Sequence, residues 1–585
     1  MQKTKMIFTI GPASDNEETL TQFIKIGMNV ARLNFSHGTH ETHKEKIDLI
    51  KKIRTNLNTP TAIMLDIKGP KIRTHNFIND GVELKANQIF AFKCGTEITG
   101  NTQECSISYS ELYKDVNIGG TILVDDGLIN FEIIDINGKD IICKVLNDGV
   151  IKNHKGVNVP NVSINLPSVT EKDKDDLVFG CKMGVDFVAA SFIRKASDIK
   201  EIRDLLNKNN GKNIQIIAKI ESQEGVNNID SILEVADGIM VARGDMGVEI
   251  DMHDLPVLQK SLIKKTYRAG KVVITATQML DSMIRNPRPT RAEATDVANA
   301  IYDGTSAIML SGETAIGKYP VETVKTMATI AERTENDIDY VKRLDRMNFD
   351  SRMDVTNAIS HATCTTAHDL HAAAIIALTY SGGTAMQLSK FRPTCPIIAP
   401  TLSVKARRQL NLSWGVIPIM SETRKNTDEL FDHAVECAQK TGLIKDGDLV
   451  VITGGAPMGV AGTTNIMKVH LVGHILVSGR GLDSINATAN VCVATSYEEL
   501  KKSFCDGDIV VTNNVTKNMI PILKKSAGII SEEVGEANNA SVLAVALDIP
   551  VIVAAAGATK VLKSGTTITM DAKRGLVYSG MEEIN

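Results

Sequence analysis

The chain has 585 residues, of which 43% are hydrophobic, and a formal net charge of -4 at pH 7. Length alone predicts roughly three to five domains, and the apolar content is sufficient for their cores. The small net charge, without long blocks of one sign, argues against a surface for nucleic acid or anionic membranes and favours small-molecule ligands.

The cysteines and the apolar stretches indicate the compartment. Nine cysteines lie between Cys94 and Cys505 without a Cys-x-x-Cys pair, which argues against a disulfide framework and a structural zinc site and favours the reducing cytoplasm. The N-terminus has no apolar signal region, and the apolar stretch Val542 to Ala556 is broken by Asp548 and Pro550. We therefore expect neither export nor a membrane span.

Short β-branched runs alternate with helical patterns in two blocks, as in βα units around a parallel sheet. The first block predicts the helices Glu17–Ile26 and His40–Leu57 between the strands Met6–Ile10, Val30–Leu33 and Ala62–Leu65. The second predicts helices such as Ala196–Leu206 and the strands Phe187–Ala190, Ile214–Ala218, Gly238–Val241, Val272–Ile274 and Ala307–Leu310. Eight such units predict a (β/α)8 TIM barrel, whose active site lies at the carboxyl ends of the strands.

Polar residues follow almost every predicted strand. Lys219 and Glu221 lie two positions apart, which places them on one face of a strand, and Arg243 and Asp245 end the next strand. Because Mg2+ takes oxygen ligands, Glu221 and Asp245 are candidate ligands, with Lys219 facing the bound anion. A lone Lys-x-Glu is more often a salt-bridged strand end, but the whole rim favours a charged site; its other members are Arg32, Asn34, Ser36, Asp66, Lys68, Ser191, Thr277, Gln278, Ser311 and Glu313.

An insertion interrupts the barrel pattern between Asp66 and Thr170. Alternating segments with hairpin signals at Asn137-Gly138 and Asn147-Asp148-Gly149 predict a β-domain there. The domain leaves and re-enters at the catalytic end of the third strand. It could therefore close over the mouth as a lid that excludes water, although a passive insertion gives the same pattern.

A second α/β unit is predicted from about residue 345. Its strand Ala373–Leu378 leads through Ser381-Gly382-Gly383-Thr384 into the helix Ala385–Lys390. A glycine turn before a helix can bind phosphate, but an ordinary turn between strand and helix explains the same sequence pattern equally well. The strand Leu449–Ile452 runs into a second Gly-rich turn, Thr453-Gly454-Gly455-Ala456-Pro457.

A Gly-containing stretch, Gly473 to Asn486, opens the last segment. Strands are predicted in it at Ile509–Thr512 and Pro550–Ala554.

Over residues 1 to 473 the chain resembles the pyruvate kinase family. The matching motifs are Asn29–Gly38, Asp66–Thr74, Ala218–Glu221 with Glu224–Val226, Ala242–Asp245, Ala276–Met283 and Met309–Thr314, in family order. The resemblance implies transfer of the phosphoryl group of phosphoenolpyruvate to ADP, which gives pyruvate and ATP at the end of glycolysis. By analogy it also implies a cytoplasmic homotetramer.

The resemblance implies four domains. The catalytic barrel, or A domain, comprises residues 1–69 and 170–344, and the inserted β-type B domain at 70–169 forms the lid. Residues 345–473 form an α/β C domain with an effector site. Residues 474–585 resemble the phosphohistidine domain of phosphoenolpyruvate-utilising enzymes.

The resemblance also implies roles for individual residues. The catalytic set is Lys219, Arg32, Thr277, Ser311 and Arg73, and the substrate contacts are Arg32, Lys219, Gly244, Asp245 and Thr277. Nucleotide contacts are His37, Arg73 and Lys155. Glu221 and Asp245 would bind Mg2+ or Mn2+, and a monovalent cation would lie at Asn34, Ser36, Asp66 and Ile67. The effector loop comprises Thr379, Ser381, Gly382, Gly383 and Thr384.

Two departures concern the cofactor and the effector. Lys71 replaces the glutamate of K+-dependent members, so we expect a fixed ammonium to make K+ largely dispensable. Tyr380 replaces a lysine common in members activated by fructose 1,6-bisphosphate, and Gly455-Ala456 replaces a Trp-Arg pair. We therefore expect a monophosphate effector such as AMP or ribose 5-phosphate.

The tail lacks the phosphorylatable histidine of the domain it resembles. Ala537-Asn538-Asn539-Ala540 stands where that domain has Thr-Ser-His-Ala, so we expect a structural tail. This argues against a phosphoenolpyruvate synthase or dikinase. A catalytically silent metabolite sensor on the same scaffold is the remaining alternative.

Overall fold

The computed structural model describes residues 2–162, 164–345, 354–424, 426–455, 464–473, 475–482, 485–534 and 549–579. The chain forms two compact units. One comprises Met1–Thr365, Ala377–Thr423 and Thr453–Ile466, and the other Thr366–Ile376, Arg424–Ile452 and Met467–Asn585. None of the described helices combines the length and the apolar character needed to cross a lipid bilayer.

The first unit begins with three parallel strands, β1 (Lys5–Thr9), β2 (Met28–Asn34) and β3 (Ala62–Asp66). The helices between them are Glu17–Ile26 and His40–Asn56. Each helix begins after a polar cap: Asn16 accepts a hydrogen bond from the Thr19 amide, and Thr39 from the Thr42 amide. These caps satisfy amides that the first helical turn leaves without partners.

The predicted β-insertion follows β3. Its strands are β4 (Ile72–Arg73), β5 (Gly81–Leu84), β6 (Ile89–Lys93), β7 (Glu104–Ser106), β8 (Thr121–Val124), β9 (Ile129–Asn137), β10 (Asp140–Val145), β11 (Gly149–Lys152) and β12 (Gly156–Asn158). Seven form a sheet in the order β4-β12-β8-β9-β10-β6-β7, and β11 pairs with β5. A helix, Leu112–Asp115, and a 3-10 turn, Ile78–Asp80, complete the insertion. Phe90, Phe92 and Phe131 pack together in its core.

One of the two predicted hairpins is wrong. The turn at Asn137-Gly138 joins the antiparallel pair β9 and β10, as expected. Asn147-Asp148-Gly149, however, leads into β11, which pairs antiparallel with β5. The reason is that Asp148 Oδ1 accepts a hydrogen bond from the Ala86 amide (2.8 Å) and so directs the chain towards β5.

Five further strands close the barrel: β13 (Phe187–Ala190), β14 (Gln215–Ile220), β15 (Gly238–Ala242), β16 (Val272–Ala276) and β17 (Ala307–Leu310). The closed order is β1-β17-β16-β15-β14-β13-β3-β2, with every pair parallel, which confirms the predicted barrel. The helices of this part are Glu171–Met183, Ala196–Lys208, Gln223–Asn227, Ile229–Val235, Arg243–Glu249, Leu255–Arg268, Arg291–Asp303, Gly312–Ala315, Pro320–Glu335 and Tyr340–Asp345, with a 3-10 turn at Asp281–Ile284.

The barrel interior is a packed apolar core. Alternate strand residues point inward and form one buried cluster, which includes Ile7, Val30, Met64, Phe187, Ile217, Met240, Ile274 and Met309. Leu412 belongs to the same cluster. Because side chains fill the interior, a polar ligand has access only to an end of the barrel.

The remaining strands and helices follow the barrel along the chain. The next strands are β18 (Ala374–Ala377), β19 (Ile397–Thr401), β20 (Val416–Met420), β21 (Leu449–Gly454) and β22 (Ile466–Leu471). β19 and β20 are parallel neighbours. The helices are Val355–Asp369, Gly383–Lys390, Val404–Leu410 and Thr427–Gln439.

The second unit contains an eight-stranded sheet in the order β23-β30-β29-β25-β26-β27-β28-β24. Its strands are β23 (Ile475–Ser478), β24 (Arg480–Gly481), β25 (Asn486–Val493), β26 (Ile509–Thr512), β27 (Gly528–Ser531), β28 (Val551–Val553), β29 (Thr567–Asp571) and β30 (Leu576–Ser579). The described helices between these strands include Tyr497–Ser503, Ile520–Leu523 and Ala558–Val561, with a 3-10 turn at Lys517–Met519. The stretch Gly473 to Asn486 thus holds two edge strands that the sequence did not predict.

A buried ion cluster lies at the amino end of β13. The Asp186 side chain is fully buried, and its Oδ2 accepts a hydrogen bond from the Ile63 amide (3.0 Å). Its Oδ1 accepts from Arg408 Nε (2.8 Å) and lies 3.2 Å from Lys405 Nζ. The carboxylate therefore balances cations from the segment Ala377–Thr423 beneath the barrel.

We expect Asp186→Asn to lower the thermal midpoint of unfolding markedly. Removing one partner of a buried ion pair leaves uncompensated charge, which costs about 3 kcal/mol or more. Asp237→Asn is the matched control, because Asp237 also bonds a strand amide, Ile216 N (2.8 Å), and Arg203 Nη2 (2.8 Å) but is 36% exposed. Its loss should cost about 1 kcal/mol or less. Calorimetry that finds equal midpoints for the two variants would contradict this account.

Candidate active site

Lys219 forms the centre of a charged cluster at the carboxyl end of the barrel. Its Nζ donates a hydrogen bond to Ser191 Oγ (2.7 Å), and Ser191 Oγ donates to the Ile67 carbonyl (2.7 Å). The same Nζ lies 3.0 Å from Glu221 Oε1 and 3.4 Å from Asp66 Oδ1. The ammonium is thus fixed by groups at the carboxyl ends of three neighbouring strands, β3, β13 and β14.

The charge state of Lys219 follows from these partners. Burial by itself lowers the pKa of a lysine, but the carboxylates of Asp66 and Glu221 outweigh burial and raise the pKa of Lys219 above its usual value. Lys219 is therefore a permanent cation. A surface salt bridge at a strand end does not describe this buried side chain.

Glu221 and Asp245 form the carboxylate pair that the sequence predicts. Glu221 is fully buried; its Oε2 accepts a hydrogen bond from the Phe192 amide (2.6 Å), whereas no donor in hydrogen-bond geometry reaches its Oε1. Burial raises the pKa of Glu221 despite the neighbouring Lys219. Burial also acts to raise the pKa of Asp245, but the charges of Lys71 and Lys219 outweigh it, and the pKa of Asp245 is lowered.

These two side chains fit a divalent cation. They are adjacent, and Glu221 Oε1 is a buried oxygen with an open lone pair. Among the residues that the structure describes, no group of three or more His, Cys, Asp or Glu side chains forms a complete metal cage. A pair of carboxylates is what Mg2+ uses when water and substrate phosphate supply the remaining ligands.

Arg32 is held beside Lys219 by two contacts. Its Nε donates to Asp66 Oδ2 (2.7 Å) and its Nη1 to Thr9 Oγ1 (2.9 Å). Asp66 therefore contacts both Arg32 and Lys219. Nη2 of Arg32 makes no hydrogen bond to the residues that the structure describes and could meet an anion. The arginine and the lysine together concentrate positive charge next to the carboxylate pair.

Thr277 and Ser311 lie at the ends of β16 and β17. Thr277 Oγ1 accepts a hydrogen bond from the Gly244 amide (2.7 Å), so two predicted substrate contacts are neighbours. Thr277 and Gln278 have φ angles of +69° and +53°, a costly conformation for side chains that carry a Cβ. The buried Ser311 Oγ makes no hydrogen bond to the described residues. Strain and an unsatisfied hydroxyl are both typical of a functional site.

Three predicted residues lie in or near the insertion. Arg73 ends β4, Lys155 immediately precedes its partner strand β12, and Arg73 Nη1 donates to the His154 carbonyl (2.9 Å). Lys155 Nζ forms an ion pair with Asp125 Oδ1 (2.8 Å). His37 lies after β2, where its carbonyl accepts from His43 Nε2 (2.8 Å). The structure brings Arg73 and Lys155 together and gives no contact between either and His37.

At the predicted monovalent-cation site, the expected ligands Asn34, Asp66 and Ile67 accept hydrogen bonds from other groups of the protein. Asn34 Oδ1 accepts from the Ser36 amide (3.1 Å), while Asp66 and Ile67 bind Arg32 and Ser191 as described above. Lys71, the expected replacement for K+, lies 3.0 Å from Asp245 and 3.2 Å from Asp126. Its ammonium therefore rests on the divalent-cation side of the mouth.

The predicted effector loop precedes the helix Gly383–Lys390. The Gly382 amide donates to Thr379 Oγ1 (3.0 Å), and Gly382 has a φ of +98°, which favours glycine. Thr384 Oγ1 and Thr464 Oγ1 are hydrogen-bonded (2.9 Å). Ser381 and Gly383 complete the loop. Of the second Gly-rich turn, Ala456 and Pro457 lie outside the described residues, as does the tail run Ala537-Asn538-Asn539-Ala540.

Sequence reasoning missed several contacts in this cluster. The sequence indicates Ser191 only as a polar strand end, and it does not predict the roles of Thr9 and the Phe192 amide. The φ of Phe192, +56°, directs its amide towards Glu221. Hydrogen bonds of this kind depend on backbone geometry, so the sequence carried no signal for them.

The structure is a (β/α)8 barrel with a lysine, an arginine and a carboxylate pair at its mouth, and the pair suits a divalent cation. This combination is that of a phosphotransferase. The family models are more specific. The barrel domain of pyruvate kinase matches residues 1–324, its alpha/beta domain residues 357–470, and the mobile domain of PEP-utilising enzymes residues 504–575. The chain belongs to the pyruvate kinase family.

Similar proteins support this assignment. A pyruvate kinase of Bacillus licheniformis is 50% identical over 586 residues, which covers 100% of both chains. One from Clostridium acetobutylicum is 57% identical over 472 residues, or 81% of this chain and 100% of its own length. The crystal structure of a pyruvate kinase from Cryptosporidium parvum aligns with a TM-score of 0.77 at 40% identity and covers 80% of this chain and 96% of that chain.

Proposed function

We propose that this cluster transfers the phosphoryl group of phosphoenolpyruvate to ADP and gives pyruvate and ATP. The observation that carries the proposal is the buried Lys219 ammonium, fixed by Ser191 within 3.0 Å of Glu221 at the mouth of the barrel. Phosphoryl transfer needs positive charge and exact placement around a loose transition state, with little covalent work by the protein.

Glu221 and Asp245 would hold Mg2+ or Mn2+, and the bound ion would supply positive charge to the phosphate and enolate oxygens. Lys219 stabilises the negative charge that develops on the transferring group and on the enolate oxygen. Arg32 and Arg73 bind phosphate oxygens. The amides of Gly244 and Asp245 receive the substrate carboxylate, and for this the Gly244 amide exchanges its bond to Thr277 for the ligand.

After transfer the enolate must be protonated at carbon. Thr277 and Ser311 would position a water or relay a proton. The support for this role is that Ser311 Oγ is buried without a hydrogen-bond partner among the described residues. Lys155, Arg73 and His37 contact the nucleotide once the insertion closes as a lid. Closure excludes water from the phosphoryl group.

Lys219→Met should abolish pyruvate formation and leave divalent-metal binding nearly intact, because Lys219 meets the reacting groups while Glu221 and Asp245 hold the ion. The measurement is a coupled assay with phosphoenolpyruvate, ADP and Mg2+ that follows the reduction of pyruvate, alongside Mn2+ binding to the same variant. A wild-type chain without turnover would instead favour the silent metabolite sensor.

Activity should be largely independent of K+, because the protein carries its own positive charge, the Lys71 ammonium, at the mouth of the barrel. The measurement compares turnover with KCl against a K+-free salt at constant ionic strength. Lys71→Glu, which introduces the acidic side chain of K+-dependent members, should make turnover respond to K+. A large loss of wild-type activity without K+ would refute this role for Lys71.

The effector loop should bind a monophosphate such as AMP or ribose 5-phosphate. Its support is a Gly turn at the start of a helix, with Tyr380 60% exposed where a lysine would bind a second phosphate. Saturation curves for phosphoenolpyruvate in the presence of each compound test this expectation. Activation by fructose 1,6-bisphosphate alone would contradict the expected monophosphate effector.

We further propose that the protein acts in glycolysis in the cytoplasm as a homotetramer with a structural C-terminal domain. The four domain ranges given above remain part of this proposal. Sedimentation of the purified chain checks the oligomer, and phosphate found on the tail by mass spectrometry would overturn its structural role.

A further inference from the structure

Lys71 lies between carboxylates from two parts of the first unit. Its Nζ is 3.0 Å from Oδ1 of Asp245, which follows barrel strand β15, and 3.2 Å from Oδ1 of Asp126, which lies between β8 and β9 of the insertion. The side chains of Lys71 and Asp245 are 15% and 31% exposed, whereas that of Asp126 is 69% exposed. The Lys71 ammonium thus contacts one partly buried carboxylate, Asp245, and one exposed carboxylate, Asp126.

A glycine, Gly156, lies next to the end of the Lys71 side chain. A Cβ at Gly156 would lie 2.5 Å from Lys71 Cε, so a larger residue there would displace the end of the lysine side chain. Lys71 immediately precedes β4, the first strand of the insertion, and Gly156 lies in β12, the last one. The position of the lysine is therefore tied to the position of the insertion.

The contact with Asp245 conflicts with metal binding. Asp245 is one of the two carboxylates that fit a divalent cation. Lys71 Nζ donates a hydrogen bond to its Oδ1 (3.0 Å), which occupies that oxygen and repels a second cation. Lys219 lies equally near Glu221 Oε1 but is not in hydrogen-bond geometry with it. For the metal to bind with full affinity, Lys71 must leave Asp245. Asp126 is the carboxylate already within reach to receive it.

We propose that Lys71 is an internal counter-ion that neutralises Asp245 while the divalent site is vacant and passes to Asp126 when the cation binds. The inference rests on the proposed function, since it takes Glu221 and Asp245 as the metal ligands. Lys71 is then a positioning residue: cation binding releases it from the barrel carboxylate and leaves it paired with Asp126 within the insertion. A second link, from Asn158 Nδ2 to Glu249 Oε1 (2.7 Å), joins the same two parts of the unit.

The test is Mn2+ binding to the substrate-free, full-length protein, measured by electron paramagnetic resonance of the free ion. Lys71→Met should tighten binding by about threefold to tenfold, because the competing charge is gone. Asp126→Asn should weaken binding by a similar factor, because Lys71 loses its alternative partner. In the double variant the effect of Asp126→Asn should disappear.

The double variant separates the proposal from simple electrostatics. If Asp126 acts only as a nearby negative charge, its removal weakens Mn2+ binding equally with and without Lys71, and that result would overturn the proposal. Unchanged binding in Lys71→Met would overturn it as well. Asp126 is exposed, so its variant keeps the test valid even if Lys71→Met folds poorly.

The pair Lys93 and Asp140 is the matched control. It is a lysine–aspartate bridge of 2.7 Å within the insertion, and Lys93→Met and Asp140→Asn should leave Mn2+ binding unchanged. No turnover is involved in the measurement. A failure of the phosphotransferase assay and a failure of this proposal are therefore distinguishable.

Discussion

The burial of the Lys219 ammonium constrains the rest of the site. A buried cation is stable only when it is paired and hydrogen-bonded, and here Asp66, Glu221 and Ser191 meet that requirement. These partners come from three adjacent strands, so the closed parallel barrel is what brings them together. In turn Asp66 positions Arg32, and Glu221 is aligned by the Phe192 amide. The closed barrel therefore determines the positions of the charged groups at its mouth.

The balance of charge at the barrel mouth explains how the site is stable before its ligands bind. Two carboxylates suited to a cation, Glu221 and Asp245, would repel each other without compensation. Lys219 is a permanent partner for the first, and Lys71 is an exchangeable partner for the second. Lys71 lies at the start of the insertion, so its ion pair with Asp245 also joins the insertion to the barrel. The apolar, filled barrel interior leaves the rim as the place for this chemistry.

Much of this arrangement could be predicted from the sequence. The eight barrel strands, the β-insertion and the Lys219–Glu221 contact follow from periodicity, since residues two apart share a face of a strand. The hairpin at Asn147–Gly149 was predicted wrongly because Asp148 bonds Ala86, a partner 62 positions away. The edge strands Ile475–Ser478 and Arg480–Gly481 were missed because their pairing partners lie far along the chain. The function of Ser191 and the ion pair of Lys71 with Asp245 depend on tertiary geometry, which periodicity does not encode.

The most direct test of the central claim is a crystal structure of the protein with Mn2+ and oxalate, whose coplanar carboxylates match the enolate of pyruvate in charge and size. Anomalous scattering locates the ion without ambiguity. We predict Mn2+ bound to Glu221 and Asp245, with oxalate on the ion and Lys219 Nζ in contact with an oxalate oxygen. Mn2+ bound away from these carboxylates, or Lys219 turned away from the oxalate, would contradict the account.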